Sequence, residues 1–488
     1  MGSPMAVQGA QNIPARRSLP ALTPWIALGF FGSVGLAVTG TSVGSVTEPN
    51  HALWWFSIPN GQSVLVTALF YVSVALLIVG WLGVGNQARK GLLTVKWAWL
   101  ILLVWGVPLF LAPPLFSRDL YSYIGQGLLA HHGLNPYSVA PKALGHGPLL
   151  SSIASVWRGT ASPYGPLFVG AANVVAGAAG SSLVSQVLAF RVLELVGVVL
   201  IMVSLPRLAR HLGTDPGIAL WLGALSPLAL FSFIGSGHND ALMMGLLVAG
   251  VALAVEGRLA WGMALCALAA TVKLPAAAAI VFLAVDQFQA ASGTRRWRVL
   301  AEVVIVPVVV LAAVTLVVGL GWTWLGPSAL HVPTELKVLS TPAVALGVFF
   351  AHLLHAIDIP VRQATMITIA QVVCGAGAVL SCIWLVINAH KLDVIRALGL
   401  ALLLIVVGGP TVWPWYLMWG LTFLAATTTQ RSKLLAAVAA LAMLVVGPSG
   451  HPLLNGNVYL VVALVTLGAC VWLARNRHWY QVASGHAS

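Results

Sequence analysis

The sequence predicts an all-α polytopic membrane protein, and three observations carry that reading. Only 7% of the 488 residues are charged, 59% are hydrophobic, and the mean hydropathy is +0.95. A soluble domain carries roughly 25% charged residues, so water would not solvate a chain this poor in charge. Apolar stretches of about 20 residues, the length that crosses a bilayer, recur from Trp25 onward. The basic residues stand singly or in small groups between these stretches. A net charge of +13 therefore reads as a topology signal. No nucleic-acid partner is expected, because the charge forms no single patch.

Spans are expected near 24–44, 64–84, 96–113, 186–206, 217–235, 240–255, 259–273, 275–288, 299–320, 363–388, 394–410, 414–428, 432–447 and 457–475. Two further apolar stretches, 165–181 and 342–357, are short or rich in Gly and Ala. If they dip in and return without crossing, Arg89, Lys90, Lys96, Arg207, Arg210, Arg258, the Arg295–Arg298 cluster, Lys391 and Arg396 fall on one side. If both crossed, the 207–210, 258 and 295–298 groups would flip to the other side. Basic residues bias short loops to the cytoplasm, which selects about 14 crossings with both termini cytoplasmic.

Residues 1–23 are then a cytoplasmic tail, with Met1–Pro4 ahead of Met5 read as an expression scar. Residues 24–475 form a single transmembrane domain, and 476–488 a second cytoplasmic tail. The first span is retained, because the residues before it are polar and make no cleavable signal. Cys266, Cys374, Cys382 and Cys470 lie inside apolar runs and have neither disulfide nor metal-ligand spacing.

Loop 114–163 becomes the longest extracytoplasmic segment. Within Ser117–His132, a helix would place Asp119, Tyr123 and Gln126 on one face, with Leu120, Ile124 and Leu128 beside them. That pattern predicts an amphipathic helix on the membrane surface. Its carboxylate, Asp119, suits either a helix N-cap or a catalytic base. Gly237-His238-Asn239-Asp240 reads as a polar turn capping the next helix, or as a hydrogen-bonding cluster for a polar head group. Lys273, before Pro275, is either an interfacial snorkelling lysine or a buried functional cation, of the kind that a lipid phosphate needs. Arg191 is a second such cation, unless it pairs with Glu194 one turn on. Trp413-Pro414-Trp415-Tyr416 suits an interfacial aromatic belt or a sugar platform. Ser162-Pro163-Tyr164-Gly165-Pro166 opens the first non-crossing segment beside them. His352, His355 and His451 read as structural or exposed. One topology brings the candidate groups to the same membrane surface, as expected of a site for a lipid-phosphate-linked sugar.

Ser117-Arg118-Asp119-Leu120-Tyr121-Ser122-Tyr123, Gly133-Leu134-Asn135-Pro136-Tyr137, Pro163-Tyr164-Gly165-Pro166 and His238-Asn239-Asp240-Ala241-Leu242-Met243 carry a further signal. In their order and loop positions the chain resembles the actinobacterial polyprenol-phosphomannose-dependent α-1,6-mannosyltransferases of the MptA/MptB type, over roughly residues 25–475. These enzymes build the lipomannan and lipoarabinomannan backbone. The resemblance implies a GT-C-type bundle of about 14 transmembrane helices, with short re-entrant or interfacial segments and an amphipathic outer-loop helix. It implies a plasma-membrane protein with its active site on the extracytoplasmic, periplasmic face.

The resemblance makes Asp119 the catalytic acid residue of the outer loop. It matches Lys273 and Arg191, with Arg118, to the donor-phosphate cations. Tyr121, Tyr123, Tyr164, His238, Asn239, Asp240, Trp413, Trp415 and Tyr416 are the expected sugar and acceptor contacts. The implied partners are a polyprenyl-phosphate-mannose donor, a lipid-anchored mannan acceptor and membrane lipid. The paired-acid motif of many GT-C enzymes is absent, since Arg118 precedes Asp119 and Leu120 follows it. A divalent cation wants several oxygen ligands, so a metal is disfavoured and no cofactor is expected. The two non-crossing segments are expected to form the groove for the prenyl chain. The rival readings are a lipid-linked-sugar flippase or transporter, whose polar groups usually lie near the midplane, and a GT-C enzyme for another polyprenyl-phosphate sugar.

Overall fold

The computed structural model describes residues 15–43, 54, 64–326, 341–427 and 458–475. The described residues fold into helices and connecting turns, with no strand among them. The helices that frame the site are α1 (Ala15–Val43), α2 (Val64–Arg89), α3 (Val95–Leu111), α4 (Asp119–His131), α5 (Pro166–Ala178), α6 (Leu183–His211), α7 (Pro216–Gly223), α8 (Asp240–Val255) and α9 (Leu259–Ala270). The second part adds α10 (Ala278–Ala290), α11 (Arg295–Val318), α12 (Pro342–His355), α13 (Gln363–Ile387), α14 (Val394–Val407), α15 (Met418–Ala425) and α16 (Val458–Arg475). The first helix starts at Ala15, inside the stretch expected to be a tail.

Five described helices are long and apolar enough to cross a membrane: α1 over Pro20–Ser42, α2, α6, α11 and α13. The span expected at 217–235 is instead a bent pair, α7 followed by Pro227–Gly235 at 50°. Pro227 supplies no backbone donor to continue the preceding helix. The Ser226 hydroxyl accepts from Ala229 N and starts a new one. Its last turns, Leu230–Gly235, are wound as a π-helix, a form frequent at functional sites. Counted as one broken span, the pair makes six. The other apolar helices in this class have 10–17 residues, so the expected count of about 14 is not reached by single long helices. The stretches expected not to cross are α5 and α12, of 13 and 14 residues. The span expected at 432–447 lies outside the described residues, as do His451 and the 476–488 tail.

Close backbone approach sets the geometry under the site. Gly197 on α6 and Gly245 on α8 face each other, and a Cβ on either would run into the opposing backbone. On this parallel pair, Arg207 is bound to Glu256 at the C-terminal end, with Nε–Oε1 at 2.8 Å, while Asp240 begins α8 at the other. Buried donors brace that second end. The Arg191 guanidinium donates to the carbonyls of Phe110, Ala112 and Gly235. Ser236 Oγ donates to Leu115 O. Further down, the Trp81 and Trp221 indoles donate reciprocally to each other's carbonyls at 3.0 and 2.8 Å, locking α2 to α7.

Helix α4 corrects one expectation. It presents no open polar face: every residue from Leu120 to Gly127 is buried. Its inner side packs on α5, where Gly127 meets Ala172 and Ala176. Its outer side is covered by its own loop, with Pro141 and Ile153 against Gly125. The polar residues that looked solvent-facing are thus turned into protein.

Candidate active site

Asp119 opens α4, and its position is fixed locally by Ser117, whose hydroxyl accepts from Asp119 N at 3.2 Å. The N-cap is Arg118, and no side chain caps the helix there. The Asp119 carboxylate therefore does not serve as the cap. Oδ1 accepts from the Trp157 indole at 3.1 Å, and Oδ2 lies 3.6 Å from His238 Nδ1. The carboxylate keeps 16% of its surface open, whereas the His238 side chain has none. Burial pushes the Asp119 carboxyl up to about 6, a rise that Asp240 adds to and that Lys273 and the Trp157 hydrogen bond oppose.

His238 sits in the break before α8. Its ring stacks on Trp415 at 3.9 Å, and Trp413 stacks on the far face of Trp415 at 5.1 Å and 5°. Trp415 is thus enclosed between two rings, and only Trp413 of this stack is left with an outer face. The Tyr123 hydroxyl donates to Asn239 Oδ1 at 3.3 Å and lies 3.5 Å from His238 Nδ1. His238 Nε2, Asn239 Nδ2 and Trp415 Nε1 are buried without a hydrogen-bond partner among the described residues.

Lys273 ends the helical run of α9, and its ammonium is 2.9 and 3.0 Å from the two oxygens of Asp240. Three aromatic faces surround it: Tyr416 at 4.6 Å, Trp419 at 5.5 Å and Tyr164 at 5.7 Å. Such faces attract a cation through the ring quadrupole. Trp419 Nε1 donates to Asp240 Oδ1 at 2.5 Å. Tyr164 is carried there by main-chain pairing, since Gly165 N donates to Val272 O and Leu167 N to Thr271 O, each at 3.0 Å. A Cβ at Gly165 would strike Thr271 O, so glycine is needed for that approach.

The structure therefore brings together Asp119, Tyr123, Tyr164, His238, Asn239, Asp240, Lys273, Trp413, Trp415 and Tyr416. Arg191 stands apart, since its Nη1 and Nη2 donate to three backbone carbonyls. It makes no ion pair with Glu194, whose Oε2 accepts from Leu242 N at 3.2 Å. Tyr121 is buried toward Arg191 and Arg118. Arg118 is partly exposed beside Asp119. Its guanidinium has no hydrogen bond or ion pair among the described residues. His352 bonds Tyr459 and His355 bonds the Val361 backbone, both away from the site. Among the described residues no three His, Cys, Asp or Glu side chains converge as a metal set.

Two contacts were not foreseen. Trp157 sits 38 residues beyond Asp119, and nothing in its neighbourhood marks it. Trp419 follows Tyr416 at i+3, the spacing of side chains that meet on one helix face, so the tryptophan-rich run carried its signal.

Comparison with known proteins reaches the same region. The family model described as "Alpha-(1->6)-mannopyranosyltransferase, N-terminal domain" matches residues 26–289, and an MptB C-terminal domain model matches 343–476. The chain is 32% identical to alpha-(1->6)-mannopyranosyltransferase A of Mycobacterium tuberculosis, over 91% of this chain and 86% of that protein. It is 29% identical to a probable alpha-(1->6)-mannopyranosyltransferase of Mycolicibacterium smegmatis, with the same coverages. It is 28% identical to alpha-(1->6)-mannopyranosyltransferase A of Corynebacterium glutamicum, over 75% of this chain and 78% of that one. No solved structure matches.

Proposed function

The chain belongs to the alpha-(1->6)-mannopyranosyltransferase family, and we propose that it moves mannose from β-mannosyl-phosphoryl-polyprenol to the 6-hydroxyl of an α-1,6-mannan, with inversion, in lipomannan and lipoarabinomannan synthesis. In this reading it is a GT-C-type bundle whose catalytic face is extracytoplasmic. The observation that carries the reading is a partly open carboxylate, Asp119, set beside a lysine caged by aromatic rings.

The acceptor O6 attacks the anomeric carbon in line as the bond from that carbon to the phosphate oxygen breaks. Asp119 takes the hydroxyl proton, and the bonding electrons leave on the polyprenyl phosphate. Charge building on that phosphate is met by Lys273 and by Arg118. Lys273 is already paired with Asp240, so Arg118 is the more available of the two. Arg191 supports the fold beneath the site. The outer face of Trp413 and the unpartnered donors of Asn239 and Trp415 suit sugar hydroxyls and C–H faces.

The test is donor choice. Purified enzyme is given labelled mannosyl-phospho-polyprenol or GDP-mannose with a short α-1,6-mannoside, and the new linkage is read by NMR. An α-1,6 product from the lipid donor alone is expected. Product from GDP-mannose alone would overturn the donor assignment.

A further inference from the structure

A groove of about 800 Å³ lies between α10, α13 and α14. Its α13 wall runs from Thr368 to Ile387 through Val372, Gly375, Val379 and Cys382. Those residues recur every three or four positions and so share one helix face. At about 1.5 Å per residue this wall is roughly 28 Å long, close to the ~30 Å hydrocarbon core of a bilayer. The lining is almost wholly apolar. Only Ile367 and Leu385 of α13 are buried, so the groove opens sideways into lipid.

Both other walls begin at the active site. Ala278, at the start of α10, follows Lys273 after the single turn Leu274–Ala277. Gly408, Gly409 and Pro410, which close the end of α14, lead directly into Trp413. At this end Gln371 Nε2 donates to Pro410 O at 3.5 Å. The far end lies where Gln289 Nε2 donates to Ile387 O at 3.4 Å. The groove thus has one end about one turn from the caged lysine and runs from there along α13.

We propose that this groove holds the hydrocarbon chain of the lipid-phosphate donor, with the phosphate at Lys273 and the chain lying along α13. The proposal rests on the reading of the site as one for a lipid-phosphate-linked mannose, and it gives the chain a place. The length favours a long flexible chain over a head group, and the apolar lining favours hydrocarbon. The groove is not built by the two segments expected to make it: neither α5 nor α12 lines it. Helix α5 packs against α4 and α11 instead, and α12 against α13 and α16.

Gly375 is the place to block it. A Cβ there would have Gly408 O, at 3.9 Å, as its nearest neighbour, so Gly375→Phe fills the groove and not a helix contact. Val379→Trp is a second block, and Val72→Trp on the exposed face of α2 is the control. Transfer is measured in mixed micelles from mannosyl-phospho-undecaprenol and from short-chain mannosyl-phospho-citronellol. The blocked variants should raise KM for the long-chain donor by about ten-fold, as expected for lost chain burial. Val379→Trp, deeper in the groove, should keep the wild-type kcat/KM for the short donor, and Val72→Trp should match wild type with both donors. An unchanged long-chain KM in both blocked variants, with wild-type thermal unfolding, would overturn the proposal.

If wild type uses neither donor, the mannosyl reading fails, and binding tests the groove separately. Undecaprenyl phosphate with a diazirine on its third isoprene unit should label peptides of α10, α13 and α14, and Gly375→Phe should abolish it. Labelling spread equally over α2 and α11 would show bulk-lipid contact only and would sink the assignment.

Discussion

His238 Nδ1 faces Asp119 Oδ2 at 3.6 Å while the imidazole lies flat on Trp415 at 3.9 Å. The Tyr123 hydroxyl gives its proton to Asn239 Oδ1, which leaves Nδ1 able to donate to the carboxylate. Burial and the nearby Lys273 hold the imidazole well below its usual pKa, so it stays neutral near pH 7. Trp157 also donates to the Asp119 carboxylate, and Lys273 and Asp240 act on it by charge.

A base must be ionised to accept a proton, and Asp119 ionises above about 6. Activity should accordingly fall as pH drops through about 6. His238→Phe keeps the stack on Trp415 but removes the polar ring nitrogen 3.6 Å from the carboxylate. At that distance the contact is weaker than a full hydrogen bond, so the variant should move the acid limb to higher pH and lower kcat by about a few-fold. His238→Asn, which retains a donor near Nδ1, should leave the limb in place. An unmoved limb in His238→Phe would make the histidine a packing residue alone.

Much of the site was legible because its polar groups are rare exceptions in an apolar chain. Asp119, His238, Asp240 and Lys273 stand at the ends of apolar runs, where the sequence can place them on one side of the membrane. What it could not supply was pairing across distance. Lys273 looked like an open phosphate cation, and the structure gives it Asp240 as a partner. Arg191 and Glu194 have the spacing of a local pair, yet each is taken by backbone groups made available at helix ends. The α4 pattern was amphipathic, and loop turns that carry no periodic signal cover its polar face.

Trp413 and Trp415 are expected to separate by kinetics. Trp415 is enclosed between His238 and Trp413, so Trp415→Ala should loosen the imidazole and lower kcat. Trp413→Ala removes a face open to sugar and should raise the acceptor KM with kcat kept. Titration of the acceptor mannoside with each variant checks the split. The opposite pattern would place the sugar elsewhere.

The Asp240–Lys273 pair is buried, with side-chain exposures of 0% and 11%. Removing one partner of such a pair leaves a lone charge and costs about 3–5 kcal/mol. Lys273→Met and Asp240→Asn should each lower the unfolding temperature in detergent, and the double variant should recover part of the loss. None of the three should regain wild-type transfer, because the lysine is also needed at the phosphate. A double variant with full activity would remove Lys273 from the reaction.

The most direct measurement is transfer of labelled mannose from mannosyl-phospho-polyprenol to a short α-1,6-mannoside by wild type and by Asp119→Asn. The substitution keeps the size and the oxygen that Trp157 reaches while removing the base. The account predicts robust transfer by wild type and a loss of at least about a hundred-fold in kcat for the folded variant. Transfer by Asp119→Asn at the wild-type rate would contradict it.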